Sequence, residues 1–381
     1  MLATFLTILA AVSCGLAVWQ CLAGRRFPLH QRKGPAVRPP AISVLKPLSG
    51  CDAATQQCLR SWLEQNYPAE VEVLFGVASS DDPVCAVVHR LLAQRPAAPA
   101  RLIVCEAVLG LNAKVSTLVQ LERAARFEFV VASDADVFAP PDLLTELAAC
   151  RERSGASLVH CLYGLRFVGD GMSLGARWEA VAINADFWTQ VLQARTLAPM
   201  DFALGAVMAL PRPVLRAAGG FEALLNVLAD DYWLGRRVAG QGGRIELCSV
   251  PVECRGGSMS FREAWERQLR WARTIRVSKP VPYALSIVNN VTLWAGLLVS
   301  AAGANTWAVA VATASLGTRW WTAWWNECRM RRDAPGAGAW WLAPVKDILQ
   351  AATWAGAFVA RTVVWQGRRL RVRSDGSLET R

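Results

Sequence analysis

Three short stretches of this chain carry the residue types that group-transfer chemistry requires. In "FVVASDADV", Asp134 and Asp136 stand one residue apart at the end of an apolar run. Hard carboxylate oxygens at that spacing suit Mg²⁺ or Mn²⁺, which would bridge a diphosphate; a solvated acidic turn is the alternative. In "LADDYWLGRR", Asp230 and Asp231 open a helical pattern. One aspartate there would cap the helix, leaving the other, beside Tyr232 and Trp233, to act as a base. Asp231 is the first choice and Asp230 the next. In "SMSFREAWERQLRWARTIR", Ser260 and Glu263 form a capping-box pattern, and Arg267, Arg270 and Trp271 follow at i, i+3 and i+4. Such arginines can clamp a departing diphosphate while the tryptophan walls an acceptor site. A basic amphipathic helix lying on lipid is the alternative.

Strand ends must deliver the first pair. Between Ala41 and Arg276, "AISVLKP", "VEVLFGVAS", "RLIVCE" and "FEFVVAS" read as buried strands. Residues 53–66, 83–95 and 114–126 between them have helical spacing. That alternation predicts a parallel sheet covered by helices, with ligands at the carboxyl ends of strands. "GVASSDDP" and "VVASDADV" both put carboxylates at such ends, so Asp81, Asp82, Asp134 and Asp136 are expected to share one crevice. A GxxxxGK[ST] loop does not occur, which disfavours a P-loop nucleotidase.

The 381 residues are 53% hydrophobic and include 17 Trp, with the apolar residues concentrated at the two ends. Residues 2–23 are uncharged and long enough to span a bilayer, and Arg25, Arg26, Arg32, Lys33 and Arg38 follow. This predicts an anchor rather than a cleaved leader, with the next domain cytoplasmic. Further spans are expected near 283–303 and 305–325, with Arg329, Arg331 and Arg332 returning the chain to the inside. Residues 340–362 contain Lys346-Asp347, a pair expensive in lipid, and read as an interfacial or re-entrant helix before a basic tail. Together these segments predict a multi-pass inner-membrane protein with a cytoplasmic catalytic domain. Trp178 and Trp188, on the apolar segment 174–193, either line an acceptor approach or pack in the core.

The net charge is +11, but Lys and Arg flank apolar segments or sit in one helix rather than interleaving with aromatics. An anionic bilayer surface and an anionic phosphate substrate explain that charge better than nucleic acid, which is not an expected partner. The eleven cysteines show no CxxC spacing, so reduced thiols are expected.

Taken in order, "SVLKPLSGCD", "SSDDP", "GLNAKVSTL", "SDADV", "ADDYWLGRR", "RQLRW" and "WQGRRLRVRSDG" resemble the family 2-like, GT-A-fold inverting glycosyltransferases. The resemblance covers nearly the whole chain and is closest to the ceramide glucosyltransferase and bacterial hopanoid-biosynthesis branch. It implies an α/β, GT-A (Rossmann-like) domain over 41–276, set between transmembrane segments at 1–24 and 283–325, with 340–381 as interfacial helix and cytosolic tail. Carried over by position, it places Asp82 near the nucleotide base, with Asp81 its neighbour, and Lys114 near the nucleotide. Asp134 and Asp136 match the metal and sugar-nucleotide motif, Asp231 the catalytic base, and Arg267, Arg270 and Trp271 the (Q/R)xxRW motif. Ser116 stands where eukaryotic ceramide enzymes usually have Asn, and Asp136 completes a DxD that those enzymes shorten; both lean toward the hopanoid branch.

The implied reaction is transfer of glucose or N-acetylglucosamine from a UDP-sugar, with a divalent cation, to a membrane-lipid hydroxyl by one inverting displacement. A hopanoid polyol is the first acceptor and ceramide the second. A processive polysaccharide synthase shares the motifs but needs more spans than three to export its polymer. A non-enzymatic scaffold would have no use for all three acidic sites and an Arg–Trp helix.

Overall fold

The structure is a computed structural model and describes residues 1–169, 172–303, 305–332, 338–360, 362–365, 368–373 and 375–380. Its contacts define a sheet unit, Pro28–Asp170 with Ala198–Gly257, and a helical unit, Met1–Phe27 with Gly171–Leu197 and Ser258–Arg381.

The sheet unit is built on β1 (Ile42–Leu48), β2 (Val71–Val77), β3 (Ala100–Val104), β4 (Phe129–Ser133), β5 (Val137–Phe138), β6 (Leu158–Phe167), β7 (Val207–Pro211) and β8 (Ile245–Gly256). They form an eight-stranded sheet in the order β3-β2-β1-β4-β7-β6-β8-β5. β3, β2, β1 and β4 are mutually parallel. Every residue of β1 and β4 is buried, as continuous apolar runs covered on both faces require. The helices Thr55–Leu63, Val84–Gln94 and Ala113–Ala124 make the crossovers, close to their expected positions. Ile42 pairs with both Val71 and Phe129, so β1, β2 and β4 start in register and run toward the same side of the sheet.

Beyond β4 the expected parallel order stops. β7 runs antiparallel to β4, β6 antiparallel to β7, β8 parallel to β6, and the two-residue β5 antiparallel to β8. The sheet is therefore mixed, and β5 begins immediately after the Asp134-Ala135-Asp136 turn.

The helical unit contains Leu2–Arg26, the run Leu174–Leu197 with a π-helical turn at Ala182–Phe187, Phe261–Ser278, Thr306–Arg331 and Ala343–Val359. The expected multi-pass topology fails here. Among the described residues, one helix, Leu2–Arg26, is long and apolar enough to cross a membrane. Counting the pair Pro280–Asn289 and Val291–Ala302, bent by 59°, as one span makes two at most. The segment expected to span at 305–325 instead contains Arg319, which is buried, bonded to Asp186 (2.8 Å) and Asp347 (2.9 Å). Lys346 pairs with Asp186 and Asp347 as well, and Thr292 donates to Asp347 (2.7 Å). Two cations and two carboxylates thus share one buried cluster, which is how Lys346-Asp347 is accommodated on an otherwise apolar helix. The basic C-terminal stretch pairs into a three-stranded antiparallel sheet, Thr362–Trp365, Arg368–Val372 and Leu378–Thr380.

Trp188 and Trp178 are core residues, not the walls of an acceptor approach. Trp188 is fully buried and lies so close to Gly24 that a Cβ there would come within 2.8 Å of its ring. Trp178 stacks on Phe261 with ring centroids 5.5 Å apart.

Candidate active site

The Asp134–Asp136 turn is held by its backbone. The Asp134 amide donates to the Ala206 carbonyl (3.2 Å), and the Asp136 carbonyl accepts from the Arg255 amide (2.8 Å) and the Cys58 thiol (3.1 Å). Asp136 is exposed and Asp134 half-buried. Lys46, fully buried in β1, donates to the Asp134 carbonyl and to Ser133 Oγ (3.2 Å), and lies 4.9 Å from the Trp62 ring. Burial pushes the Lys46 ammonium down to about 8, while Asp136, Cys58 and Asp134 act to raise it. A cation under the turn offsets the charge of its two carboxylates. In the sequence Lys46 is one polar letter inside an apolar run, and nothing local marks it as a partner of Asp134.

Helix Ala113–Ala124 supplies a second cation. Asn112 caps it, accepting from the Val115 amide (3.1 Å), and its Nδ2 donates to the Val227 carbonyl (2.9 Å). The Leu111 amide donates to Asn226 Oδ1 (3.0 Å) and the Asn112 amide to the Leu225 carbonyl (2.8 Å). Gly110 is required by this approach, since a Cβ would sit 2.6 Å from the Leu225 oxygen. Ser116 Oγ accepts from the Leu109 and Gly110 amides (3.2 Å each), so this departure from the eukaryotic pattern fastens the loop. Lys114 is thereby delivered to two carboxylates at once: Nζ is 2.7 Å from Asp134 Oδ1 and 3.0 Å from Asp230 Oδ2. Burial alone would lower its pKa, but Asp134, Asp230 and Asp231 together raise it and keep the ammonium charged.

Asp230 and Asp231 occupy the first turn of the helix Asp230–Gly240, whose N-cap is Ala229. Neither serves as the cap. Asp230 faces Lys114, and Asp231 Oδ1 accepts from the Tyr232 amide (2.7 Å). Burial, then the charge of Asp230, pushes the Asp231 carboxyl up to about 6, against the lowering influence of Lys114. Two glycines let this helix approach the segment before β7. A Cβ at Gly235 would lie 2.4 Å from the Ala203 nitrogen, and one at Gly205 would lie 3.0 Å from Asp231 Oδ2. Buried His160 holds that segment, its Nδ1 accepting from the Leu204 amide (3.0 Å). Tyr163, on β6, joins the same neighbourhood: burial raises its hydroxyl pKa well above the usual value, with further upward pushes from Cys254, Asp231, Asp134 and Asp136. Sequence reasoning missed Gly205, His160 and Tyr163 because their partners are distant in the chain.

Asp82 is engaged with backbone. Both its oxygens accept from the Gly50 amide (3.0 Å each), and Oδ1 also accepts from the Val84 amide (2.9 Å). Asp81 beside it is exposed. Asp52, unremarked in the sequence, ties the same turn to the end of β8: its Oδ2 accepts from the Gly257 amide (2.7 Å). No group of three or more His, Cys, Asp and Glu among the described residues could hold a metal ion. The protein's own contribution to a cation would therefore be one or two carboxylates, Asp134 and Asp136, with substrate phosphates and water completing the shell. That is the usual ligand set for Mg²⁺ at a nucleotide site, and the residues present fit it.

The Arg–Trp motif belongs to the helical unit. The helix Phe261–Ser278 starts with the expected reciprocal capping box of Ser260 and Glu263. Arg267 bonds to fully buried Glu179 (3.3 Å). Burial, then the charge of Arg267, lowers the Arg270 pKa, while Glu179 acts in the opposite direction. Trp271 is half-buried. Glu179 is thus the counter-charge of this motif, and the sequence held no signal of it beyond a lone acid in an apolar segment.

The fold is that of the GT-A glycosyltransferases: a mannosyltransferase from Pyrobaculum calidifontis, solved with GDP-Man and Mn²⁺, superposes with a TM-score of 0.55 at 20% identity, covering 94% of this chain and 96% of that one. The family profile of glycosyl transferase family 21 matches residues 5–378, and the chain belongs to that family. Ceramide glucosyltransferase 1 of Caenorhabditis elegans is 25% identical over 249 residues, 65% of this chain and 52% of that protein. Ceramide glucosyltransferase 3 of the same organism is 24% identical over 254 residues, 66% of this chain and 54% of that protein. The chain therefore spans about half the length of these curated relatives.

Proposed function

We propose that this protein transfers a hexose from a UDP-sugar to a hydroxyl of a membrane lipid, with Asp231 as the general base. The observation that carries this reading is the linked set Asp134–Lys114–Asp230, with Asp231 next to it titrating near 6. A carboxylate poised there is ionised at neutral pH yet basic enough to take a proton from an alcohol as it attacks. The acceptor oxygen displaces UDP from the anomeric carbon on the opposite face, the proton passes to Asp231, and the bonding pair leaves with the diphosphate. Inversion follows from that single displacement. Asp134 and Asp136 would hold Mg²⁺ or Mn²⁺, which supplies positive charge to the diphosphate. Arg267, Arg270 and Trp271 are proposed to serve the departing diphosphate and the acceptor, as their match to the Arg–Trp motif implies. Asp82 and Asp81 would serve the nucleotide-base end, Asp82 through the turn it holds.

The family and its curated relatives favour ceramide over a hopanoid polyol as the acceptor, and glucose over N-acetylglucosamine as the sugar. The departure at Ser116 that leaned the other way has a local reason in the loop it fastens. The test is a matched panel: purified protein with UDP-glucose or UDP-N-acetylglucosamine, and with ceramide or a hopanoid polyol in liposomes. UDP release in step with glucosylceramide is expected. Efficient transfer to the hopanoid with none to ceramide would reverse the acceptor assignment, and transfer confined to water-soluble acceptors would remove the lipid reading.

A further inference from the structure

Lys114 is placed where a metal ion's ligand would otherwise be open. Its Nζ stands 2.7 Å from Asp134 Oδ1, one of the two carboxylates assigned to the cation, and 3.0 Å from Asp230 Oδ2. An ammonium at that distance both occupies the oxygen and repels a second positive ion approaching it. The backbone beneath Lys114 is fixed, because Asn112 and the Leu225–Val227 segment hold the loop that starts its helix. The side chain is held by ion pairs rather than by backbone bonds. Its four-carbon stem can turn the ammonium from one anionic partner to another without moving the helix.

We propose that Lys114 is a resident counter-ion that withholds Asp134 from the divalent cation until the nucleotide arrives. When the diphosphate enters, its own negative charge attracts the ammonium, Asp134 is released, and the cation loads together with the nucleotide. Asp230 keeps a cationic partner throughout, so the acidic helix start is never left with both carboxylates uncompensated. This rests on the proposed UDP-sugar reading and goes beyond it, because it assigns an order of loading. Reciprocity follows: the nucleotide must strengthen cation binding by the same factor that the cation strengthens nucleotide binding.

The test measures Mn²⁺ alone, by the electron paramagnetic resonance signal of the free ion, with and without UDP. Without UDP, Lys114→Met should bind Mn²⁺ roughly tenfold or more tightly than the native protein, while Lys114→Arg stays close to native. UDP should tighten Mn²⁺ binding in both proteins, through the phosphates it brings to the ion, and by roughly tenfold more in the native protein than in Lys114→Met. If Lys114→Met does not fold, judged by circular dichroism, Lys114→Gln takes its place in the same comparison. Native protein that binds Mn²⁺ equally well with and without UDP would overturn the proposal. So would folded Lys114→Met with native or weaker Mn²⁺ affinity. In either case a native protein that still transfers sugar leaves the parent reading standing. Native protein that binds neither UDP nor Mn²⁺ and transfers nothing removes both.

Discussion

Asp230 and Asp231 are neighbours in sequence with different partners, and their separation of roles is visible in what each touches. Asp230 is buried against Lys114, whereas Asp231 accepts from the Tyr232 amide and has its carboxyl pushed up to about 6. The sign of the consequence is fixed. A base with a carboxyl pKa near 6 works above that pH and is lost as pH falls through it, so kcat/KM should decline on the acid side around pH 6. The charge of Asp230 is the second cause of that elevation, and Asp230→Asn should move the acid limb to lower pH. A pH–rate profile on both proteins checks this; a limb that stays in place would assign the ionisation to a different group.

The elements that position these residues differ in how far the sequence foretold them. β1, β2 and β4 were legible because a buried parallel strand is a continuous apolar run, and the helices between them carry their own periodicity; β3 was found as a strand but lies half-exposed at the sheet edge, not buried as expected. The capping box was legible too, since Ser260 and Glu263 act within their own helix, whereas the cap expected of Asp230 or Asp231 was not found. β6 and β8 were harder: they pair with each other across more than eighty residues and mix Cys, His and Gly into their apolar positions. The supporting contacts were harder still, because a glycine or histidine has meaning only once its distant partner is known. Gly205 is the clearest case. A Cβ there would stand 3.0 Å from Asp231 Oδ2, so Gly205→Ala should displace the carboxylate while leaving the nucleotide end untouched. We expect kcat to fall about tenfold with KM for the UDP-sugar within twofold, the pattern of a lost transition-state interaction. An equal rise in KM would show that the glycine serves the donor site instead.

At the scale of the whole molecule, the helical unit departs furthest from its sequence reading, and Arg319 is the reason. Counting apolar residues over 305–325 passed over a single arginine that the fold uses to neutralise Asp186 and Asp347. Removing it leaves two buried carboxylates with Lys346 alone. Arg319→Ala should destabilise the protein by about 3–5 kcal/mol, read from denaturant or thermal unfolding in detergent. A change below about 1 kcal/mol would mean that water reaches the cluster. Among the described residues, one helix is long and apolar enough to cross a bilayer, or two if the bent pair is one span.

The most direct measurement compares the native protein with Asp231→Asn for transfer from UDP-glucose to ceramide in detergent, with UDP affinity determined on the same samples. The account predicts a β-linked product from the native protein, and a variant that binds UDP as tightly but transfers about 10²–10⁴-fold more slowly. A variant that turns over within a few-fold of native, or a native product with retained configuration, would contradict it.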